Sequence, residues 1–500
     1  MNHHHPSDFA AGPQSFPRAT PGERPSARFS DRVSRVPRRQ SRLNVNRTNQ
    51  IRLWIYAYFV LLLTEGALRK WLFAGLPLIS LPLLIVRDPV ALVIFFLALR
   101  ANLLPKTART VSWFAIGTFT ALGILQLLTN PGLNFLVVLY GLRSYCLHLP
   151  LIFVIAEVFG LHDLLRLGRW VLLLACPMAI LMVAQFLSPP SSFLNRGIVE
   201  GVGQIDAALG RIRPAGTFSF NTGAGSFNLL AAAFLLYSFI DRRWLSPWIR
   251  WTAAVALVAV MPVSGSRTFV LSLALLLLFA LIGGTSNARL LRVTLLALAF
   301  GSAIFVALLF TPFFQEGLET FSTRWIQATS AGGSVNDAIF MRLFGDFFRT
   351  FQSLGDTPLL GYGLGLGSNF GAAVSSGMLA FTLAETEWER TVLEMGPIVG
   401  VLWLSARCGF GFYLIHSAWR CLRSGRALAW LLFGAQGLAF FTGLTEQPTS
   451  LGFLVSTTGL CLAAIKSAER RQSIEGRHAA QGPWRPHPSA ARIFTRNRSP

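Results

Sequence analysis

Long apolar runs, separated by short connections rich in arginine, proline and glycine, recur along most of the chain. An α-helix of about 20 apolar residues crosses the hydrocarbon core of a bilayer. The runs are continuous and do not alternate with period two, which favours helices over a β-barrel. The pattern therefore predicts about twelve transmembrane helices, near residues 52–70, 87–104, 110–129, 133–158, 168–187, 222–240, 247–263, 268–284, 289–312, 392–416, 427–445 and 449–466.

Basic residues in the short connections predict the orientation of these helices. With twelve helices, nearly all of the basic connections share one side with both chain ends, and Arg69 and Lys70 are the exception. Cytoplasmic loops carry the excess of lysine and arginine, so this side is predicted to be cytoplasmic. The predicted organisation is a basic cytoplasmic tail (1–50), nine helices (51–312), one large periplasmic loop (313–391), three helices (392–466) and a second basic tail (467–500).

Composition supports a membrane protein, since 53% of the residues are hydrophobic and only 13% are charged. The formal net charge of +22 raises the question of nucleic-acid binding. About half of this excess lies in the two Pro/Ser/Arg-rich tails, which are most simply disordered segments near anionic lipid. The lipid bilayer is therefore predicted to be a partner of this chain, and nucleic acid is not.

Arginines stand just before two of the apolar runs. Arg211 and Arg213 precede the run that starts near Thr222, and Arg267 ends the sequence Ser-Gly-Ser-Arg before the run that starts near Thr268. Helix N-termini and guanidinium groups both favour phosphate. These arginines are therefore predicted to bind a phosphate group on the outer face. The alternative, that they are interfacial anchors for lipid headgroups, stays open.

Arg143 and two glutamates complete the candidate site. Arg143 lies inside the fourth predicted helix, where a buried charge is costly. It is therefore predicted either to bind the substrate pyrophosphate in a polar cavity or to pair with a buried acid such as Glu157. Glu385 and Glu387 end the large loop and are candidate general bases, although acids also favour a helix start. No metal-ligand or cofactor motif is present, so neither a metal nor a cofactor is predicted.

Several motifs together resemble the O-antigen ligase and Wzy-type polymerase superfamily. They are SGSR opening an apolar helix, RIRPAGTF upstream of it, PLLGYGLGLGSNF in the large loop and ETEWERTVLEMG at its end. The resemblance covers about residues 50–465. It implies a GT-C-like, metal-independent glycosyltransferase of the bacterial inner membrane that takes glycan from undecaprenyl pyrophosphate and joins it to an acceptor glycan in the periplasm.

Carried onto this chain, the resemblance implies that Arg211 or Arg213, together with Arg267, neutralises the pyrophosphate leaving group. Ligases of this superfamily have a functional histidine near the end of the loop, where this chain has Glu385 and Glu387. That difference favours a polymerase of surface polysaccharide, with a chain-length regulator as a further partner. A ligase that moves finished glycan to lipid A-core, and a transporter or flippase for an anionic lipid-linked substrate, remain the alternatives.

Overall fold

The computed structural model describes residues 38–73, 76, 82–197, 204–332, 340, 345, 347–376, 383, 386–443 and 445–480. The chain divides into residues 1–46 and residues 47–500. In the first unit the described residues, 38–46, are helical. The second unit carries the remaining elements and the charged clusters discussed below.

Helices dominate the described residues, which contain no β-strand. They are α1 (Arg38–Ala67), α2 (Arg87–Arg100), α3 (Lys106–Thr129), α4 (Phe135–Leu142), α5 (Leu151–Val158), α6 (Leu161–Leu187), α7 (Asn221–Ile240), α8 (Pro247–Val263), α9 (Arg267–Gly284), α10 (Ala288–Leu308), α11 (Pro312–Gly332), α12 (Asn369–Ser376), α13 (Glu387–Arg423), α14 (Leu428–Thr442) and α15 (Pro448–Ala480). Two π-helical turns, Leu68–Leu72 and Arg143–Leu147, follow α1 and α4.

The prediction of an all-α polytopic membrane protein is confirmed. Within the described residues, nine helical segments are long and apolar enough to cross a membrane. The helix α8 and residues 428–437 of α14 are shorter apolar helices, and α2 has 14 residues. The described residues thus contain nine long apolar helical segments, against the twelve crossings predicted, and the count of twelve stays a prediction.

Several helix ends differ from the apolar runs that predicted them. The first helix begins at Arg38 and the last ends at Ala480, because intrahelical hydrogen bonds continue past the apolar residues. The predicted helix 133–158 is divided into α4, a π-turn and α5, and α5 starts directly after Pro150, which lacks a backbone N–H. Residues 1–37 and 481–500 of the predicted tails lie outside the described residues.

Packing places α15 at the centre. In the apolar part of α15, 89% of the residues are buried, against 17% in α10. The last helix packs on α5 and α14, and α14 also packs on α7 and α9. A second, smaller core contains Phe119 of α3, Val138 of α4, Met395 of α13 and, from the large predicted loop, Leu364. The large predicted loop is thus anchored to the helices at its C-terminal part.

Candidate functional site

A short hairpin positions Arg211 and Arg213. Asp206 and Ile212 form an antiparallel bridge, and Gly210 takes a positive φ of 71° in the turn between them. Side chains alternate along extended backbone, so the two arginines share one face while Ile212, 1% exposed, occupies the other. The i, i+2 spacing therefore puts Arg211 and Arg213 on the same face of the hairpin, where Arg213 donates to the Asp206 carbonyl at 3.0 Å.

The Ser264–Arg267 turn links α8 to α9. Gly265 has a φ of 56°, in the left-handed region that favours glycine. Ser266 is the N-cap of α9, and its Oγ accepts a hydrogen bond from the Phe269 N–H at 3.3 Å. A Cβ at position 265 would lie 3.5 Å from Cγ of Arg213. The hairpin arginine therefore runs alongside the turn that begins α9.

The helix α11 ties these pieces together. Arg324 of α11 donates a hydrogen bond to the Gly265 carbonyl, and Glu316 of the same helix forms an ion pair with Arg211. Arg211 also donates to the Leu187 carbonyl at 2.9 Å, at the end of α6. Elements from three separate stretches of sequence therefore meet around one turn. We call Arg211, Arg213, Arg267 and Arg324 the SGSR cluster.

Within the SGSR cluster Arg267 has a distinct position. It is half-buried at the first residue of α9, and its side chain makes no hydrogen bond or ion pair with any of the described residues. A guanidinium group with all of its donors available can bind two oxygens of a phosphate at once. The start of α9 adds the partial positive charge of a helix N-terminus.

Arg143 lies in a different part of the molecule, in the π-turn after α4. It forms a charge-assisted hydrogen bond with Asp88 of α2. The other oxygen of Asp88 is 3.0 Å from His148 Nε2, and the Nδ1 atom of that histidine is 3.0 Å from the Tyr58 hydroxyl. The acidic partner of Arg143 is therefore Asp88 rather than Glu157, which pairs with Lys466. Both Nη atoms of Arg143 are buried without a hydrogen-bond partner among the described residues.

Glu387 is fully buried at the start of α13. Its carboxylate is 2.7 Å from Nη2 of Arg390 and 2.8 Å from Nη1 of Arg407. It also accepts a hydrogen bond from the Thr445 hydroxyl at 2.6 Å. Glu385, the other candidate base, lies outside the described residues. As placed here, the carboxylate of Glu387 is fully occupied by donors.

Glu394 extends this arrangement two turns further along α13. It forms an ion pair with Arg390 at 2.8 Å, accepts from the Tyr145 hydroxyl at 3.1 Å and accepts from the Gly367 N–H at 2.9 Å. A Cβ at position 367 would be 2.5 Å from Cγ of Arg390, so the backbone must approach closely here. The glycine-rich segment that contains Gly367, within PLLGYGLGLGSNF, is thus tightly turned against α13. We call Glu387, Arg390, Glu394 and Arg407 the buried ion network.

Glu446 lies beside this network, in the connection between α14 and α15. Burial raises its pKa to about 8, and the nearby Arg390 guanidinium only partly offsets that effect. Its Oε1 atom has no hydrogen-bond partner among the described residues. A carboxyl group whose pKa lies near neutral pH can exchange a proton under working conditions.

Sequence reasoning did not select several of these residues. Arg324, Asp88 and Glu446 come from elements outside the motifs, and Arg407 lies on α13 beyond the motif that opens this helix. No local pattern marks any of them. Lys70 could have been noticed in the sequence, because Lys70 and Arg69 are predicted to lie on the opposite side of the membrane from the other basic connections. It is fully buried and donates to the Gly216 carbonyl at 2.7 Å, which anchors the segment after Arg213.

No protein-family model matches this chain, and no curated protein matches it. Among the described residues, no group of three or more His, Cys, Asp or Glu side chains could hold a metal ion.

Proposed function

We propose that this chain is a membrane glycosyltransferase that moves glycan from undecaprenyl pyrophosphate to an acceptor sugar and so polymerises a surface polysaccharide. The observation that carries the proposal is the SGSR cluster. Arg213 and Arg324 meet at the Gly265 backbone, and Arg267 follows two residues later without a partner among the described residues. The motif resemblance to the O-antigen ligase and Wzy-type superfamily supports the same function.

The proposed reaction breaks the bond between the anomeric carbon of the donor glycan and a pyrophosphate oxygen. A hydroxyl oxygen of the acceptor forms the new bond to that carbon and gives up its proton to a base. Negative charge grows on the departing pyrophosphate, and preorganised cations that face this charge lower the barrier. Arg267 would bind this leaving group, while Arg211, Arg213 and Arg324 would shape its site.

In this proposal the base is a carboxylate near the start of α13, and Glu385 and Glu387 keep the role predicted for them. Glu387 would first have to exchange one of its arginine or threonine partners for the acceptor hydroxyl. The proposal therefore places the acceptor on the α13 side of the SGSR cluster.

The proposed architecture is GT-C-like, with twelve membrane crossings and both termini in the cytoplasm of a bacterium. The helices α2, α8 and α14 would complete the set of nine longer helical segments. The start of α9 and the loop 313–391 would then face the periplasm, where lipid-linked glycan is presented. A regulator of polymer length would be a partner from the same membrane.

The test is an assay in proteoliposomes that contain the purified chain and a defined undecaprenyl-pyrophosphate oligosaccharide. A ladder of products that lengthens by whole repeat units supports a polymerase. A single transfer of glycan to lipid A-core would replace that conclusion by a ligase. Movement of the donor across the bilayer with no new glycosidic bond would contradict the proposed transferase and favour a flippase.

A further inference from the structure

A cavity of about 810 Å³ lies where α7 ends. Its volume falls in the range of about 300–1,000 Å³ that small-molecule sites occupy. The arginines that line it come from the α7–α8 connection, the start of α10, the α13–α14 connection and α15. The only carboxylate among its lining residues in the described part of the chain is that of Asp241. The six arginines are Arg242, Arg243, Arg289, Arg292, Arg426 and Arg471.

Most of these positive charges are not neutralised by the protein. Arg426 forms an ion pair with Glu475 at 2.9 Å and donates to the Ala468 carbonyl at 2.7 Å, which fixes the wall between the α13–α14 connection and α15. The side chains of the other five arginines form no hydrogen bond or ion pair with the residues that the structure describes. Their donors therefore remain available to an anionic ligand.

One wall of the cavity is apolar. Phe239 and Ile240 from α7 and Val293 and Leu296 from α10 line it beside the arginines. A fully water-soluble anion would gain nothing from such a wall, whereas a ligand with an anionic head and a hydrocarbon body would contact both surfaces. The combination matches the chemistry of an anionic phospholipid, for which basic pockets between transmembrane helices are a known kind of site.

This cavity is separate from the SGSR cluster. The residues of the cavity lie at the C-terminal end of α7, and the hairpin arginines precede its N-terminus. A helix of 20 residues is about 30 Å long, so the two regions are separated by roughly the thickness of a bilayer core. On the orientation predicted from basic residues, the cavity opens to the cytoplasmic leaflet.

We propose that this cavity binds a phosphate-bearing ligand, and that its apolar wall selects the headgroup and upper acyl chains of an anionic phospholipid. The inference is independent of the proposed transferase function, since it rests on the opposite end of α7. Arg289 and Arg292 are the main binding residues, because they carry charge next to the apolar residues of α10.

The experiment measures binding of fluorescent phosphatidylglycerol and phosphatidylcholine to the purified full-length chain in neutral detergent, with inorganic pyrophosphate as a soluble competitor. The test variant combines Arg289→Gln with Arg292→Gln. The matched control combines Arg109→Gln with Arg166→Gln, two exposed arginines on the same predicted side that do not line the cavity. A second pair, Arg242→Gln with Arg243→Gln, is used if the first does not fold.

We expect phosphatidylglycerol to bind more tightly than phosphatidylcholine. One arginine near anionic lipid contributes about fivefold in affinity, so the test variant should lose about 30-fold while the control is unchanged. Pyrophosphate binding that the same variant weakens, without any preference between the lipids, would support the phosphate site and assign it to a soluble ligand. Equal losses in the test and control variants, or no binding of either anion, would overturn the proposal.

Discussion

The buried ion network and the SGSR cluster both place charged side chains at or beside the start of a long helix, α13 or α9, yet they treat charge in opposite ways. In the network, Glu387 and Glu394 are each 0% exposed and each contacts Arg390. In the SGSR cluster Arg267 is half-buried and has no partner among the described residues. One region balances its charges internally, and in the other, under the proposed function, a cation is left to bind the leaving group.

The comparison separates two uses of arginine in a membrane protein. A charge taken fully out of water must be paired, because removal of one partner leaves an uncompensated charge in the interior. A guanidinium group at a half-buried helix start can form hydrogen bonds with water when no anion is bound. It therefore does not lower the stability of the fold while the site is empty. We therefore expect changes in the network to affect folding first and changes in the SGSR cluster to affect transfer first.

The largest effect is expected from Glu387→Ala. It leaves Arg390 and Arg407 without their shared carboxylate and should lower the free energy of unfolding by about 3–5 kcal/mol. Thermal unfolding in detergent measures this. Glu389→Ala is the control, since Glu389 is half-buried on the same turn of α13. Wild-type stability of the Glu387 variant together with lost transfer would leave Glu387 only the proposed role of base, and would show that the buried ion network is not needed for stability.

Arg267→Ala should reduce glycan transfer by about 10²–10³-fold, the usual loss when one donor to a developing negative charge is removed. Its unfolding temperature and membrane level should match those of the wild type, because no bond to a described residue is lost. Arg267→Lys should restore part of the activity, and Arg349→Ala serves as an exposed arginine control from the large loop. Full-length polymer from the alanine variant would remove Arg267 from the mechanism.

Gly265→Ala tests whether the turn itself orients Arg267. A side chain at a φ of 56° costs about 1–2 kcal/mol, and the turn should shift to relieve it. Transfer should fall by a factor of about 5 to 30. Ser264→Ala, which keeps the glycine, is the comparison variant. An unchanged rate in the Gly265 variant would mean that the position of Arg267 does not depend on this turn.

Glu446 should make stability depend on pH. Its pKa is about 8 in the folded chain and about 4.5 when unfolded, so the stability present below pH 4.5 is lost as pH rises through 8. Between pH 7 and pH 8 the loss should be about 1 kcal/mol. Glu446→Gln should flatten the pH profile of the unfolding temperature in this range. An identical pH profile in the wild type and the variant would show that Glu446 does not titrate in this range.

The smallest effect is expected from Glu316→Gln, which removes the ion-pair partner of Arg211 in the SGSR cluster. The side chains of Arg211 and Glu316 are 25% and 34% exposed, and ion pairs that water reaches contribute about 0.2–1 kcal/mol. The difference in unfolding temperature from the wild type should shrink at high salt. A loss as large as that of Glu387→Ala would show that the two regions do not differ in the way proposed.

Much of the fold was predictable because the bilayer imposes a simple rule on sequence. Every buried backbone group must be bonded within its own segment, so long apolar runs had to become helices, and they did. The fourth apolar run is interrupted at Pro150, and α13 is kinked at Gly396 (φ 81°). Both features depend on single residues, which the hydrophobic pattern does not take into account. The helices therefore agree with the prediction, whereas several of their ends differ from the predicted ends.

The candidate site divides in the same way. The sequence by itself indicated Arg211, Arg213 and Arg267 through their place before apolar runs, and Glu387 through its place at a helix start. Tertiary structure alone decided that Arg324 meets Gly265, that Asp88 pairs with Arg143 and that Arg407 shares Glu387. The physical reason is that hydrophobic periodicity fixes local conformation, whereas the partner of a buried charge is chosen by which helices pack together across the chain.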